Sequence, residues 1–342
     1  AVISSFSSWG PTDDGRIKPD IVGAGVSVLS TNSSTDDAYG TSSGTSMSAP
    51  NVSGSLFLLQ EHYAKTNGNR FMRSASLKGL AIHTANECGT NAGPDYIFGW
   101  GLLNTLKAAE VISSKNTGNH LLREEVLNNG ASHNYQVVAS GRGKLVVTIS
   151  WTDVKGEVAF TNYLNNRTPR LVNDLDVRVS LNGETFFPWK LDPANPAAAA
   201  LKGDNILDNV EKIEIDNPIP GATYTITVSH KNTLARGLQA YSLLASGVGG
   251  TAFCNSTPTS TAGTRIDSVV IGTVRFNNPN NGCTNYAVFG SGNVLIRPGE
   301  TLNLKVGVSA CDATQADRII KTFIDFNGNN IFDANELVGT SS

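Results

Sequence analysis

No stretch of the 342 residues approaches the run of about 18 apolar side chains that a membrane-spanning helix requires. The longest suspicious tract, the alanines at 197–200, falls far short, so no helical membrane span is expected. Basic charge is not concentrated anywhere: 26 Lys and Arg stand against 29 Asp and Glu, for a net charge of −3. Without a basic run the chain has no electrostatic footprint for nucleic acid or anionic lipid. Cysteine is sparse, with four residues, none in a C-x-x-C arrangement, so the common zinc and redox patterns are absent. No repeat period and no long low-complexity tract suggests a solenoid or a disordered tail. Oligomeric state is left open by all of this.

What is present describes a folded chain of more than one domain. Apolar residues make up 39% and charged residues 16%, enough for real cores. The 34 glycines, with many Ser, Thr and Asn, point to strands joined by tight turns. The chain opens on Ala1 and runs straight into AVISSFSSWG without a leader-like approach, which leads us to expect an internal start within a longer protein. Residues 1–30 read as strand, turn-rich loop and strand. From Ser46 the spacing of Val52, Leu56, Leu59 and Tyr63 predicts a long helix stopping near Asn67-Gly68. A second helix begins near Ser74, with Leu77, Leu80 and Ala81 on one face, and a third covers 102–112. Past residue 116 the period changes to two, in 144–151, 175–183, 222–230 and 239–247, with Asn182-Gly183 a hairpin signal. We therefore expect a mixed α/β domain over 1–116, an all-β sandwich or jelly roll over 117–249, and a further strand-rich module over 251–342 that stops at Ser342 without an ending signal. Cys254, Cys283 and Cys311 fall in that last module, where a disulfide between two of them or buried thiols are both open readings.

One stretch carries chemistry. In YGTSSGTSMSAPNVSG, residues 39–54, Gly44 precedes Thr45 and Ser46 and permits a tight turn with close substrate approach. Ser46 then starts a helix, where free N–H groups and the positive end of the dipole favour negative charge. Pro50 is expected in the first turn, where its missing N–H costs little. A serine in this place is either an ordinary helix cap or a nucleophile aimed at an oxyanion-stabilising helix end. No G-x-S-x-G elbow surrounds it.

The wider pattern favours the nucleophile. SSFSSWGP, GRIKPDIVGAG and GTSMSAP in this order resemble the segment around the catalytic serine of subtilisin-like serine peptidases, the subtilase family. With LVNDLDV at 171–177 in a following strand domain, residues 1–249 look most like the alkaline, oxidatively stable branch that carries a C-terminal jelly roll. The resemblance implies a multidomain protein: the C-terminal part of an α/β subtilisin-like domain, then an all-β jelly roll, then a β-sandwich module. It makes Ser46 the nucleophile and a backbone oxyanion donor, with Gly44, Thr45, Met47 and Pro50 as motif positions. Asn51 stands where many subtilases have His. The family draws its Asp, His and oxyanion Asn from motifs before the serine block, and only 45 residues precede Ser46 here. His62, His83, His120, His133 and His230 all follow it, none in an H-G-T-H-like context. Asp13, Asp14 and Asp20 read as structural or surface carboxylates. The expectation is a secreted or cell-surface bacterial serine endopeptidase acting on proteins or peptides, represented here by a part without a complete triad and inactive alone. A non-catalytic secreted adhesion or substrate-binding protein with a degenerate peptidase domain is the alternative.

Two further patterns concern cations. Asp174 and Asp176 fall on one side of a strand, where they meet either a calcium ion or a basic neighbour such as Arg178. In DFNGNNIFDANE, Asp325, Asn327, Asn329, Asp333 and Glu336 take positions 1, 3, 5, 9 and 12 of a calcium loop, with the Ile331 carbonyl at 7 and Asn330 where Gly is usual. The last module, from FCNSTPT through RPGETLNLKV, resembles the GEVED-type β-sandwich appended to secreted bacterial peptidases, and calcium is its expected ion.

Overall fold

The structure, a computed structural model, describes residues 1–115, 118–158, 164–249, 263–279, 283, 294–295, 297, 299–311, 318–324, 332 and 334–341. The chain is mostly β, with a few helices and several sheets. It divides into two compact units, one formed by 1–137, 146–214 and 224–246, the other by 138–145, 215–223 and 247–342.

In the first unit the strand expected from AVISSF is not formed. A strand needs a partner for its N–H and C=O groups, and no described strand lies beside this one, so Val2 is almost fully exposed. Val22 makes only an isolated parallel bridge with Leu102. Strands β1 (Val28–Thr31) and β2 (Tyr39–Ser42) pair antiparallel and lead into helix α1 (Thr45–Thr66). Helix α1 stops where Gly68 and Asn69 take left-handed conformations and the Asn69 N–H returns to the Ala64 carbonyl. Helix α2 spans Ser74–Thr84 and α3 spans Thr105–Ser114. The third helix starts later than its periodicity predicts, because Leu102 pairs with both Val22 and Asn86 and Asn104 caps the helix by accepting from the Lys107 N–H at 2.9 Å.

The strands expected after residue 116 are present. The four are β5 (Leu145–Trp151), β6 (Leu175–Leu181), β11 (Thr223–His230) and β12 (Leu238–Ser246), and the period did not give the six that join them: β3 (His120–Asn128), β4 (His133–Val138), β7 (Glu184–Phe186), the short pair β8 (Trp189–Lys190) and β9 (Leu201–Lys202), and β10 (Val210–Ile215). Two four-stranded sheets result, ordered β10-β5-β12-β3 and β4-β11-β6-β7. The β6–β7 hairpin turns on Asn182 and Gly183, both with positive φ, as its two-residue turn requires.

Helices and sheet share one core. Leu59, Met72, Leu80, Val111 and Ile112 from the helical segment pack with Leu122 of β3 and Leu244 of β12. Thr148 and Ser150 of β5 are fully buried although they alternate with the apolar Val147, Ile149 and Trp151. The reason is α2, whose Ser76, Gly79 and His83 form a stripe at helical spacing. Ser76 Oγ lies 2.7 Å from Ser242 Oγ, and His83 lies 2.8 Å from Thr148 Oγ1. A Cβ on Gly79 would stand 3.0 Å from Ser150 Cβ and 3.1 Å from Leu244 Cδ1. Gly79→Leu is therefore expected to cost about 1–3 kcal/mol by overpacking. Gly54→Leu on α1, where nothing lies within 4 Å, is expected to cost nothing, and urea denaturation of the two variants checks the difference.

In the second unit β13 (Thr264–Ile271) lies between β14 (Val274–Asn277) and β15 (Leu304–Ala310), and β16 (Ile320–Phe323) pairs with β17 (Leu337–Ser341). Cys283 and Cys311 form a disulfide with Cα atoms 6.0 Å apart. Cys88 is a buried free thiol, and Cys254 lies outside the described residues.

Candidate active site

Ser46 is the second residue of α1, and Gly44, not Ser46, is the N-cap. Its hydroxyl is exposed and makes no hydrogen bond among the described residues. The Ser46 N–H belongs to the first turn, which has no intrahelical acceptor for it. Helix start and serine are held by the loop 23–25: the Gly44 N–H donates to the Gly25 carbonyl at 2.8 Å, and the Ser48 hydroxyl donates to the Gly23 carbonyl at 3.0 Å. Both glycines are needed for this approach. A Cβ on Gly25 would stand 2.8 Å from the Gly44 oxygen, and one on Gly23 would stand 2.6 Å from Val52 Cγ2. Thr45 is exposed, Met47 half-buried. Pro50 lies inside the helix and not in its first turn, because α1 already begins at Thr45. Having no N–H, it gives the Ser46 carbonyl no ladder bond. Beside this helix start runs a groove of about 340 Å³ lined by Ile3, Phe6, Val22, Thr45, Phe98 and Leu102 among others.

No histidine meets Ser46. His62 Nε2 lies 2.8 Å from Ser113 Oγ, and His133 Nδ1 lies 2.8 Å from the Tyr241 hydroxyl. His230 Nε2 accepts from the Gly130 N–H at 2.7 Å. His83 and His120 share Ser246, whose Oγ is 2.6 Å from His83 Nε2 and 2.7 Å from His120 Nδ1. The early carboxylates are likewise engaged: Asp14 with Thr12 and Arg16, Asp20 with Lys18 and Lys78, and Asp13 with the Asn165 N–H.

A second cluster of charge lies on β6 and its neighbours. Asp176, Asp204 and Glu211 bring one carboxylate oxygen each within 4.8 Å of one another, a grouping that can hold a metal ion. Asp174 and Asp176 meet basic neighbours here. Register explains why: His230 of β11 stands opposite Leu175 of β6, so Lys231 falls opposite Asp174. The Lys231 ammonium then reaches Asp174 at 3.2 Å, Asp176 at 2.8 Å and Asp204 at 3.0 Å. Arg178 bonds Asp176 at 2.8 Å and Asp204 at 2.6 Å, and lies 3.6 Å from Glu211. Burial pushes the Glu211 carboxyl well above the usual range, and it raises Asp174 too. The LVNDLDV string gave the two aspartates; nothing in sequence spacing gave Lys231, Asp204 or Glu211, which arrive from other strands and loops. Of the calcium-loop residues, Asp325, Asn327, Asn329, Ile331 and Asp333 lie outside the described residues. Glu336 is described, in a turn of 3-10 helix where its carbonyl accepts from the Ile324 N–H at 3.0 Å.

Residues 1–101 match the family model described as the subtilase family, Peptidase_S8. The C5a peptidase of Streptococcus pyogenes serotype M1 is 54% identical over 61 residues, which cover 18% of this chain and 5% of that protein. The serine protease/ABC transporter B family proteins tagA and tagB of Dictyostelium discoideum are 26% and 27% identical over 283 and 317 residues, each covering 72% of this chain. That share exceeds what 101 residues can hold, so the likeness continues into the strand region. The matched part spans only 15% and 16% of those two relatives. These likenesses support a subtilisin-like peptidase. Among the described residues no helix is long and apolar enough to cross a membrane.

Proposed function

We propose that this chain is the part of a secreted, subtilisin-like serine endopeptidase that carries the nucleophile. The observation that bears most weight is Ser46 itself: an exposed, unbonded hydroxyl at the N-terminal turn of α1, inside the segment that matches the subtilase family. In this reading Ser46 Oγ attacks the peptide carbonyl, the unbonded N–H groups of the first helical turn receive the developing oxyanion, and water releases the acyl-enzyme. A histidine acts first as base and then as acid. Since all five histidines of the chain are bonded elsewhere, that group comes from outside this chain, and the chain alone is inactive. Residues 1–116 are read as the C-terminal part of the peptidase domain, 117–249 as the jelly roll and 251–342 as the GEVED-type module with calcium in its 325–336 loop. The two four-stranded sheets support the second assignment. The Cys283–Cys311 disulfide suits an oxidising, extracytoplasmic setting.

A fluorophosphonate probe is expected to label the full-length natural protein at Ser46 and to leave the 342-residue chain unlabelled. Rapid labelling of the chain alone would overturn the assignment of the base to another segment. An unlabelled full-length protein would favour the second reading, a substrate-binding protein whose peptidase domain no longer reacts.

A further inference from the structure

The carboxylate cluster on β6 joins four acids and two cations, and its geometry is independent of the catalytic reading. We propose that the Lys231 ammonium is the resident cation of this cage and occupies the place beside Asp176 and Asp204 where the carboxylate cluster would otherwise hold a divalent ion.

Three observations carry the argument. First, Lys231 directs its three N–H groups at three different carboxylates, Asp174, Asp176 and Asp204, at 2.8–3.2 Å. A tetrahedral ammonium so surrounded is a coordinated cation in all but name. Burial pulls its pKa down, yet the bonds to Asp176 and Asp204 more than offset that, and it ends above the ordinary lysine range. Second, the carboxylate oxygens of Asp176, Asp204 and Glu211 lie within 4.8 Å of one another. Oxygens that close can share one cation that each binds at roughly 2.3–2.6 Å. Third, acceptor capacity exceeds supply. Arg178 and Lys231 carry two positive charges against the four acids, and Asp174 Oδ1 and Glu211 Oε1 are buried without a hydrogen-bond partner among the described residues. A proton on Glu211 would not give Oε1 an acceptor either. Once the ammonium is gone, the three carboxylate oxygens it held face a vacated position with Arg178 alone opposing them.

Calcium therefore fits the oxygens and not the occupied cage: the chain supplies its own cation, fixed on the residue after β11. This predicts opposite ion responses for the natural side chain and its neutral replacement. The test titrates calcium into the 342-residue chain carrying Asp325→Ala and Glu336→Ala, so that the 325–336 loop contributes no signal, with and without Lys231→Met. Calorimetry and thermal melting are read for each. With Lys231 present, calcium and chelator are expected to leave the melting temperature unchanged and no heat of binding is expected. The Lys231→Met chain is expected to melt lower, to bind one calcium at least about tenfold more tightly, and to regain stability with it. Adding Asp176→Asn should abolish that gain. Stoichiometric calcium binding with Lys231 in place overturns the proposal. So does a Lys231→Met chain that folds and ignores calcium, or one that stays unfolded both with and without the ion.

Discussion

Between about pH 6.5, the ordinary value for histidine, and about pH 3, where the fold holds its ring, the chain is expected to lose about 1.4 kcal/mol of stability per pH unit through His83 alone. The sign follows from the direction of the shift. In the fold the imidazole stays neutral down to about pH 3, chiefly because it is buried, then because of the Lys212 ammonium and His120, with Glu214 opposing. The unfolded chain takes up the proton much earlier. The contribution is thus complete above the unfolded value and is lost as the pH falls. Lys212 cannot move away to relieve this, since its ammonium is itself buried, 3.0 Å from Glu214 and 3.4 Å from the Ile82 carbonyl.

Hydrogen bonding reinforces the effect. Ser246 has one hydroxyl proton for two imidazole nitrogens, His83 Nε2 and His120 Nδ1, so at most one ring accepts from it and at least one donates to it. A neutral His83 donates through one nitrogen and accepts through the other, between Thr148 and Ser246. A protonated His83 would donate on both sides, so neither Thr148 nor Ser246 could donate to it. His83→Gln keeps a polar side chain between Thr148 and Ser246 and cannot titrate. Urea denaturation across this pH range should give a slope for the variant shallower by the stated amount. Equal slopes for the two proteins would show that another group takes up the proton.

How much of this was readable beforehand varies with the physics of each element. The three helices and the four long strands announced themselves by period, and the Asn182-Gly183 turn by its chemistry. The helix start beside Ser46 was legible from its local pattern, whereas the choice of nucleophile over helix cap rested on the resemblance of the wider string. AVISSF failed because alternation says only that a segment fits a ladder and not that a neighbour is there. Pro50 was misjudged by position, since the helix begins at Thr45 with Gly44 as its cap. The α2 stripe was read as Leu77, Leu80 and Ala81, whereas the closest approach to the sheet is made by Ser76, Gly79 and His83. Small and polar residues in a helix look like solvent-facing ones until a sheet with serines and threonine is set against them. Lys231 is the clearest case: its role depends on the register of β11 against β6, which fixes a contact 55 residues away in sequence with Asp176.

Arg178→Met is expected to cost about 3–5 kcal/mol, towards the lower figure because the guanidinium is partly exposed. Methionine retains a stem of similar length against Phe187, whose ring now lies 4.9 Å from the guanidinium carbon. What is lost is charge beside Asp176 and Glu211, both deeply buried. Among the described residues Glu211 then keeps the Val177 N–H at 2.7 Å and Lys231 at longer range. Its carboxyl already titrates well above the ordinary range because of burial, with Arg178 among the groups that hold it down. A carboxyl raised in this way contributes stability that is complete below its unfolded value and lost as pH rises through its folded one. Removing Arg178 raises the folded value further, so the deficit should widen in alkali. Thermal melts of both proteins near neutral pH and about two pH units higher test this. Adding Glu211→Gln to Arg178→Met should recover most of the alkaline part, because an amide carries no charge to desolvate. If the double variant stays as alkali-sensitive as the single one, the charge left stranded is that of Asp176.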